Sequence, residues 1–141
     1  MLVGEGAERA ALTAQAKELG IENNVIFTGF QNTPFDYLAT FDAFILASKS
    51  EGLPRVVLEA MLLKIPVIGS QVTGTAELID HESTGLLFPW SDVSQLAQHL
   101  NNIWADADLR ARLAAAAYQN VCHTYAIENY VSGVEAVLGA H

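Results

Sequence analysis

Two acidic side chains, Glu51 and Glu59, stand eight positions apart in the segment with the most chemical potential. Glu51 lies in a Gly/Pro loop, and Glu59 lies about one turn into the apolar helical pattern that follows. A carboxylate accepts several hydrogen bonds, so each acid is suited to hold a pair of neighbouring hydroxyl groups. Between them, the start of the helix offers free backbone N–H groups to an anion. This spacing fits a ligand with a sugar at one end, a ribose at the other and a diphosphate between them.

The position of this segment in the chain supports the same hypothesis. It follows an apolar strand, and ligands of doubly wound sheets bind beyond the carboxyl ends of the strands. Pro54 is expected near the first helical turn, where proline is tolerated, and Glu59 about 5–6 Å along the axis from Arg55. Lys49 and Arg55 are the two cations nearby. Each either balances a diphosphate or is a solvated surface residue.

The overall charge excludes other classes of ligand. Seven Lys and Arg residues against sixteen Asp and Glu give a formal charge of −9. Such an acidic chain, without a basic cluster, is not expected to bind nucleic acid through its overall field. With 51% hydrophobic residues, it is also expected to fold rather than to be disordered. Any phosphate group must therefore be held locally.

Metal and thiol chemistry is not expected either. The single cysteine, Cys122, cannot form an internal disulfide, and we expect it to be a small, partly buried apolar residue. The histidines share no metal-site spacing, so we predict no metal and no cofactor, and we expect all four at the surface: His81, His99, His123 and His141. Trp90 and Trp104 are expected to pack in the core or between domains.

The sequence carries neither a signal-peptide pattern nor a membrane-spanning segment. Two acids near the N-terminus occupy the place of a basic region, and the apolar stretches are interrupted well short of about 18 residues. We therefore expect a cytoplasmic protein, with the inner face of the membrane as an alternative location for a longer form.

Short apolar runs alternate with helical patterns, which predicts an α/β fold with a Rossmann-like parallel sheet. The predicted strands are Met1–Val3, Val25–Phe27, Ala43–Ala47, Pro66–Gly69 and Gly85–Phe88. Helical spacing is predicted around residues 12–19, 56–63 and 76–79. After Pro89, a helical tail is predicted: one helix from Asp92 with Ser91 or Asp92 as N-cap, one over residues 109–118, and one around Ile127 to Leu138.

The quoted residues resemble the retaining glycosyltransferases of the GT-B fold known as family 4 or group 1. Glu51 and Glu59 form an E-x7-E pattern within "S-x-x-E-G-x-x-x-x-x-x-E-A-M". Further segments are similar along the chain: the Gly-acid-Gly turn at residues 4–6, "V-x-F-x-G" at 25–29, "P-V-I" at 66–68 and "T-G-L-L" at 84–87. The resemblance implies the C-terminal, donor-binding half of such an enzyme.

The resemblance also implies roles for individual residues. Glu51, the predicted catalytic residue, would contact hydroxyls of the donor sugar, and Glu59 would hydrogen-bond the ribose. The helix start would receive the diphosphate, and a second loop would lie near the base. The implied donor-binding set is therefore Glu51, Gly52, Leu53, Pro54, Arg55, Val56 and Glu59, together with Gly29, Phe30 and Gln31.

Two departures from the family accompany this interpretation. Thr73 and Lys64 stand where the family has glycine, and Glu77 occupies the acid of its "G-G-x-x-E" loop. An N-terminal acceptor domain, a first strand and an Arg/Lys pair that neutralises the leaving diphosphate are absent from residues 1–141. We therefore expect one donor-binding domain over residues 1–141 of a longer hexosyltransferase, inactive alone, with a nucleotide sugar as its partner. The alternatives are a non-catalytic nucleotide-binding or interaction module and part of a GT-B sugar-nucleotide epimerase.

Overall fold

The computed structural model describes residues 1–125 and divides the chain into two compact units. The first unit is Met1–Thr40, and the second begins at Phe41. The third helix of the predicted tail, around Ile127 to Leu138, lies outside the described residues.

The first unit contains helix α1 (Arg9–Glu18), a 3₁₀ turn (Glu22–Asn24) and the short helix α2 (Pro34–Leu38). The predicted strands Met1–Val3 and Val25–Phe27 do lie side by side, through a parallel bridge between Leu2 and Phe27. They do not form a ladder, so the prediction of strands is wrong there. The chain turns at a second, isolated bridge between Gly4 and Gly29, where Gly4 has φ +124° and Gly29 has φ +69°. Glycine adopts such angles without the steric penalty that a side chain adds.

The second unit is built on a three-stranded parallel sheet in the order β1 (Phe44–Leu46), β2 (Val67–Ser70), β3 (Leu86–Phe88). Ile68 pairs with Ile45 on one side and with Leu86 on the other. Helix α3 (Arg55–Leu62) connects β1 to β2, and α4 (Thr73–Leu78) connects β2 to β3. The predicted α/β fold with a parallel sheet is confirmed, with these three strands within a residue or two of their expected bounds.

Two longer helices follow the sheet, α5 (Val93–Ala105) and α6 (Ala107–Thr124). Asp92 caps α5 by accepting a hydrogen bond from the Gln95 amide at 2.9 Å, as one of the two predicted caps. Asp106 caps α6 in the same way through the Leu109 amide. Each cap is worth about 1 kcal/mol of stability relative to alanine.

The core lies where the sheet meets these two helices. Its buried cluster joins three strand residues to one residue from each helix: Ile68, Leu86, Phe88, Ile103 and Leu113. Side chains alternate along a strand, so a Cβ at Gly69 would point to the opposite face, where it would collide with the Thr75 and Ile79 side chains. Helix α4 therefore covers one face of β2, and the α5–α6 pair covers the other.

Two expectations about side-chain burial, those for His99 and Cys122, are wrong. His99 is 8% exposed, because its Nε2 lies 3.1 Å from the Leu87 carbonyl and donates to it. Cys122 is exposed on α6 rather than partly buried. Trp104 is 80% exposed and Trp90 is 47% exposed, so neither packs in this core, and packing between domains stays a prediction for both.

Lys64 adopts the left-handed backbone conformation at the end of α3, with φ +57°. Lysine replaces the family's glycine at this position, and its side chain makes this backbone conformation sterically unfavourable. The Lys64 side chain lies over the Tyr118 ring, with Nζ 4.7 Å from the ring centroid. This cation–π contact to α6 offsets part of that penalty.

A candidate donor site at the carboxyl edge of the sheet

Three loops meet at the edge where the parallel strands end. They are residues 47–54 after β1, residues 71–72 after β2 and residues 89–92 after β3. The Gln71 amide donates to the Phe88 carbonyl at 2.7 Å, which ties the loop after β2 to the last residue of β3. The carboxyl edge of a parallel sheet is the usual ligand-binding edge of an open α/β fold.

The loop after β1 is held by hydrogen bonds at both ends of its polar stretch. The Ser70 hydroxyl, fully buried at the end of β2, donates to the Ser48 carbonyl at 2.6 Å. Three residues later, the Glu51 carbonyl accepts a hydrogen bond from the Gly74 amide at 3.2 Å. These bonds fix the backbone that carries the Glu51 side chain.

Gly74 permits this contact because it has no side chain. A Cβ at Gly74 would collide with the Gly52 carbonyl group and would lie 2.8 Å from the Glu51 carbonyl oxygen. The first turn of α4 therefore packs backbone against backbone beneath the loop. Sequence reasoning did not assign Gly74 a role, and the only signal for it was its place in the loop that resembles "G-G-x-x-E". In the same loop, Thr73 begins α4, and the Glu77 side chain is exposed.

Glu51 and Glu59 are both half-buried, at the loop and on the second turn of α3 respectively. Within residues 1–125, neither carboxylate forms a hydrogen bond or an ion pair with another residue. Half-buried carboxylates normally satisfy their acceptor capacity with a partner. Both are therefore available to hydroxyl groups of a ligand.

Helix α3 starts with unpaired amides at this edge. Pro54 is the N-cap residue, one position before the helix, with φ −75° and ψ 91°. Its carbonyl accepts the Val57 amide at 2.9 Å, while the Arg55 and Val56 amides donate to no oxygen in the described part of the chain. Unpaired amides in a first turn, together with the helix dipole, attract an anion. Pro54 therefore lies next to the first helical turn, as the sequence predicted, and the binding of an anion there stays a prediction.

One contact across this edge has no counterpart in the sequence reasoning. The Lys49 ammonium group lies over the Trp90 ring, with Nζ 5.4 Å from the ring centroid. Trp90 is 47% exposed, so it is not a core residue. No sequence signal could pair the two residues, because they are separated by two strands.

The remaining predicted residues, Gly29, Phe30 and Gln31, belong to the first unit. Gly29 takes the turn described above, and Phe30 is exposed. The Gln31 side-chain amide donates to the Thr28 carbonyl at 2.8 Å, which closes this loop on itself. The structure therefore groups seven of the ten predicted residues, 51–56 and 59, at one edge of the second unit and places the other three in the first unit.

Other parts of the described chain offer less for chemistry. A surface cleft at the α5–α6 corner is lined by Asn102, Ala105 and residues 106–109. It lies at the far end of α5, which runs about 20 Å from the carboxyl edge. Residues 1–125 contain no group of three His, Cys, Asp or Glu side chains placed to hold a metal ion. No helix in that range is long and apolar enough to cross a membrane.

Comparison with known proteins identifies the family to which the chain belongs. Residues 1–120 match the family described as "Glycosyl transferases group 1". The chain is 33% identical over 137 residues to an N-acetyl-alpha-D-glucosaminyl L-malate synthase of Bacillus anthracis, covering 97% of the chain and 36% of that protein. It is 36% identical over 114 residues to the lipopolysaccharide core biosynthesis glycosyltransferase LpsD of Rhizobium meliloti, covering 81% of the chain and 33% of LpsD. The chain thus spans about a third of the length of the curated relatives it matches.

Solved structures give the same assignment. HepE of Anabaena, crystallised in complex with UDP, matches with a TM-score of 0.89 at 27% identity, over 99% of this chain and 40% of that one. The C-terminal domain of the group 1 family protein LpcC from Francisella tularensis matches with a TM-score of 0.77 at 28% identity, over 84% of this chain and 63% of that one. The chain therefore belongs to the group 1 glycosyltransferases and has the fold of their C-terminal, Rossmann-like GT-B domain.

Proposed function

We propose that this chain binds a nucleoside-diphosphate sugar at the carboxyl edge of its sheet. The observation that carries the proposal is the arrangement around the start of α3: two unpaired amides, at Arg55 and Val56, between two half-buried carboxylates without a partner in the described chain. An anion fits the amides and hydroxyl groups fit the carboxylates. A diphosphate with a sugar on each side combines both requirements in one molecule.

Each residue then has a distinct task. Glu51 accepts hydrogen bonds from the hydroxyls of the donor sugar, and Glu59 accepts them from the ribose. The backbone from Leu53 to Val56 receives the diphosphate. The role near the base that the family resemblance gives to Gly29, Phe30 and Gln31 remains a prediction.

Uridine is the base to test first. HepE of Anabaena, which this chain resembles over almost its whole length, was crystallised with UDP and with UDP-glucose. Group 1 relatives with other functions also match the chain, so GDP and ADP belong in the same panel.

In the complete protein, we propose that this domain supports transfer of a sugar to an acceptor with retention of anomeric configuration. The bond between the anomeric carbon and the diphosphate oxygen breaks, and a bond to the acceptor oxygen forms on the same face. The acceptor's hydroxyl proton passes to the leaving phosphate. The domain contributes by orienting the donor and stabilising the negative charge that develops on the diphosphate. Since the chain spans about a third of its curated relatives, we expect residues 1–141 alone to bind donor without turnover.

Titration calorimetry with UDP, GDP, ADP and UDP-glucose tests the binding proposal. We expect at least one diphosphate to bind, and Glu59→Gln to weaken its binding about tenfold or more, because a hydrogen bond to a charged group is worth about 1.5–3 kcal/mol. If UDP is the nucleotide bound, Glu51→Gln is expected to weaken the binding of UDP-glucose more than the binding of UDP. Glu18→Gln, which removes the same charge from an exposed site on α1, should change neither. Absence of binding by all four ligands, or equal binding after Glu59→Gln, would contradict the proposal.

A further inference from the structure

The second unit has few positively charged side chains, and most of them already contact other residues of the unit. Its Lys and Arg residues are Lys49, Arg55, Lys64, Arg110 and Arg112. Arg110 donates to two carbonyls at the end of α5, Arg112 donates to the Glu82 carbonyl, and Lys64 lies over Tyr118. Only Lys49 and Arg55 lie in the loop and helix start of the proposed donor site. Lys49 and Arg55 are therefore the positively charged side chains that a diphosphate at this edge could contact.

Lys49 has a side-chain contact that Arg55 lacks. The backbone on either side of it is fixed by the bonds to the Ser48 and Glu51 carbonyls. Its ammonium group is held 5.4 Å above the Trp90 ring. Both side chains are exposed, but Arg55 forms no hydrogen bond, ion pair or ring contact with residues 1–125.

The chemical nature of the group that contacts the Lys49 ammonium determines how much positive charge remains for a ligand. A carboxylate beside Lys49 would neutralise its charge, whereas an aromatic ring orients the ammonium group and leaves the full positive charge in place. Neither Glu51 nor any other described acid forms an ion pair with Lys49. Trp90 follows β3, so the pair spans the edge of the sheet from the end of β1 to the end of β3.

We propose that Lys49 binds the diphosphate of the donor and that Trp90 is its positioning residue. This proposal rests on the function proposed above and assigns a residue to it. The ring reduces the conformational entropy that Lys49 loses on binding, because the side chain is ordered before the ligand arrives. The expected consequence is an affinity that depends on Lys49 and Trp90 for phosphate-bearing ligands and not for the nucleoside.

A double-mutant cycle on ligand binding tests this proposal. The chain, Lys49→Met, Trp90→Leu and the double variant are titrated with whichever of UDP, GDP and ADP binds the chain most tightly, and with the matching nucleoside. We expect Lys49→Met to lower the affinity for the nucleoside diphosphate about tenfold and to leave the affinity for the nucleoside unchanged. Trp90→Leu should weaken the diphosphate less, and the double variant should be no weaker than Lys49→Met alone. Trp90→Phe, which keeps a ring, should retain most of the affinity.

The controls separate the possible failures. Lys17→Met, which removes an exposed cation from α1, should leave all affinities unchanged. Undiminished diphosphate binding by Lys49→Met, while Glu59→Gln loses binding, would overturn the Lys49 proposal alone. Fully additive losses in the double variant, or an equal loss of nucleoside binding, would overturn the positioning role of Trp90. If no nucleotide binds the unchanged chain, the proposed function fails, and the role of Lys49 fails with it.

Discussion

The Gly74 amide donates a hydrogen bond to the Glu51 carbonyl at 3.2 Å, and the missing side chain of Gly74 makes room for the loop that carries Glu51. A structural position on α4 thus determines where a proposed sugar-binding carboxylate lies. The proposed site therefore requires glycine at position 74 as well as the carboxylate of Glu51.

Gly74→Ala is expected to lower both stability and nucleotide affinity. In an open helix, alanine would stabilise by about 1 kcal/mol relative to glycine. Here the added Cβ meets the Gly52 carbonyl group, so we expect the free energy of unfolding to fall by about 1–3 kcal/mol in urea denaturation. Gly6→Ala is the matched control, because a Cβ there meets nothing within 4 Å. A Gly74→Ala variant as stable as the Gly6→Ala variant would contradict the packing described here.

Thr75→Val is expected to raise the free energy of unfolding by about 1 kcal/mol. Thr75 is fully buried, and its hydroxyl has no hydrogen-bond partner among the described residues. Valine has the same shape and removes an unsatisfied polar group. Ser70→Ala provides the opposite case, because the Ser70 hydroxyl is bonded to the Ser48 carbonyl, and it should lower stability by about 1 kcal/mol. Chemical denaturation of both variants measures the contrast, and a loss of stability in Thr75→Val would count against it.

His99→Ala is expected to lower the free energy of unfolding by about 1–3 kcal/mol. In β3, the Leu87 amide donates to His81 Nδ1 at 2.9 Å, and the Leu87 carbonyl lies 3.1 Å from His99 Nε2. The two rings satisfy backbone groups on the strand that ends the sheet. Removing one leaves a buried carbonyl without its partner. Gln98→Ala, at an exposed neighbouring position on α5, should change the unfolding midpoint little, and equal effects of the two variants would disprove the role of His99.

The pKa of the Tyr118 hydroxyl is expected to depend on Cys122, which lies one turn further along α6. A hydrogen bond with the Cys122 side chain, then the charge of its thiolate, then partial burial raise the pKa of the Tyr118 hydroxyl above its ordinary value of 10.0. Because the folded pKa is the higher one, the associated stability is present below pH 10 and is lost as the pH rises through the folded pKa. We expect Cys122→Ala to lower the Tyr118 pKa in an NMR titration of ¹³Cζ-labelled tyrosine, with Tyr118→Phe assigning the signal. An unchanged titration would show that Cys122 is not the cause.

Periodicity and turn chemistry were enough to predict the elements that position the site. The β1–α3 connection was predicted because an apolar run, a Gly/Pro loop and a helical pattern follow one another between residues 43 and 63. Helix α2 was missed, since its five residues, Pro34–Leu38, are too few to show a 3.6-residue period. The expected strand Met1–Val3 is present only as isolated bridges, Leu2–Phe27 and Gly4–Gly29, and both glycines of the second bridge have positive φ angles.

The parts of the site that sequence reasoning missed depend on contacts between distant residues. Gly74 and Glu51 are 23 positions apart, and Lys49 and Trp90 are 41 positions apart. His99 was expected at the surface because nothing local indicates the Leu87 carbonyl that holds it. Trp104 follows the apolar stripe of α5, but a stripe does not specify which of two adjacent residues points inward, and here it is Ile103. Local patterns therefore predicted the candidate site residues, and the packing of the second unit determines where they lie.

The central claim is that a nucleoside diphosphate binds at the start of α3, and amide NMR tests it most directly. The 15.2 kDa chain can be labelled with ¹⁵N and titrated with UDP, GDP or ADP. We expect the largest chemical-shift changes at the amides of Gly52, Leu53, Arg55 and Val56, with the α5–α6 corner unaffected. Saturable changes centred anywhere else, or no changes at these amides with any of the three nucleotides, would contradict it.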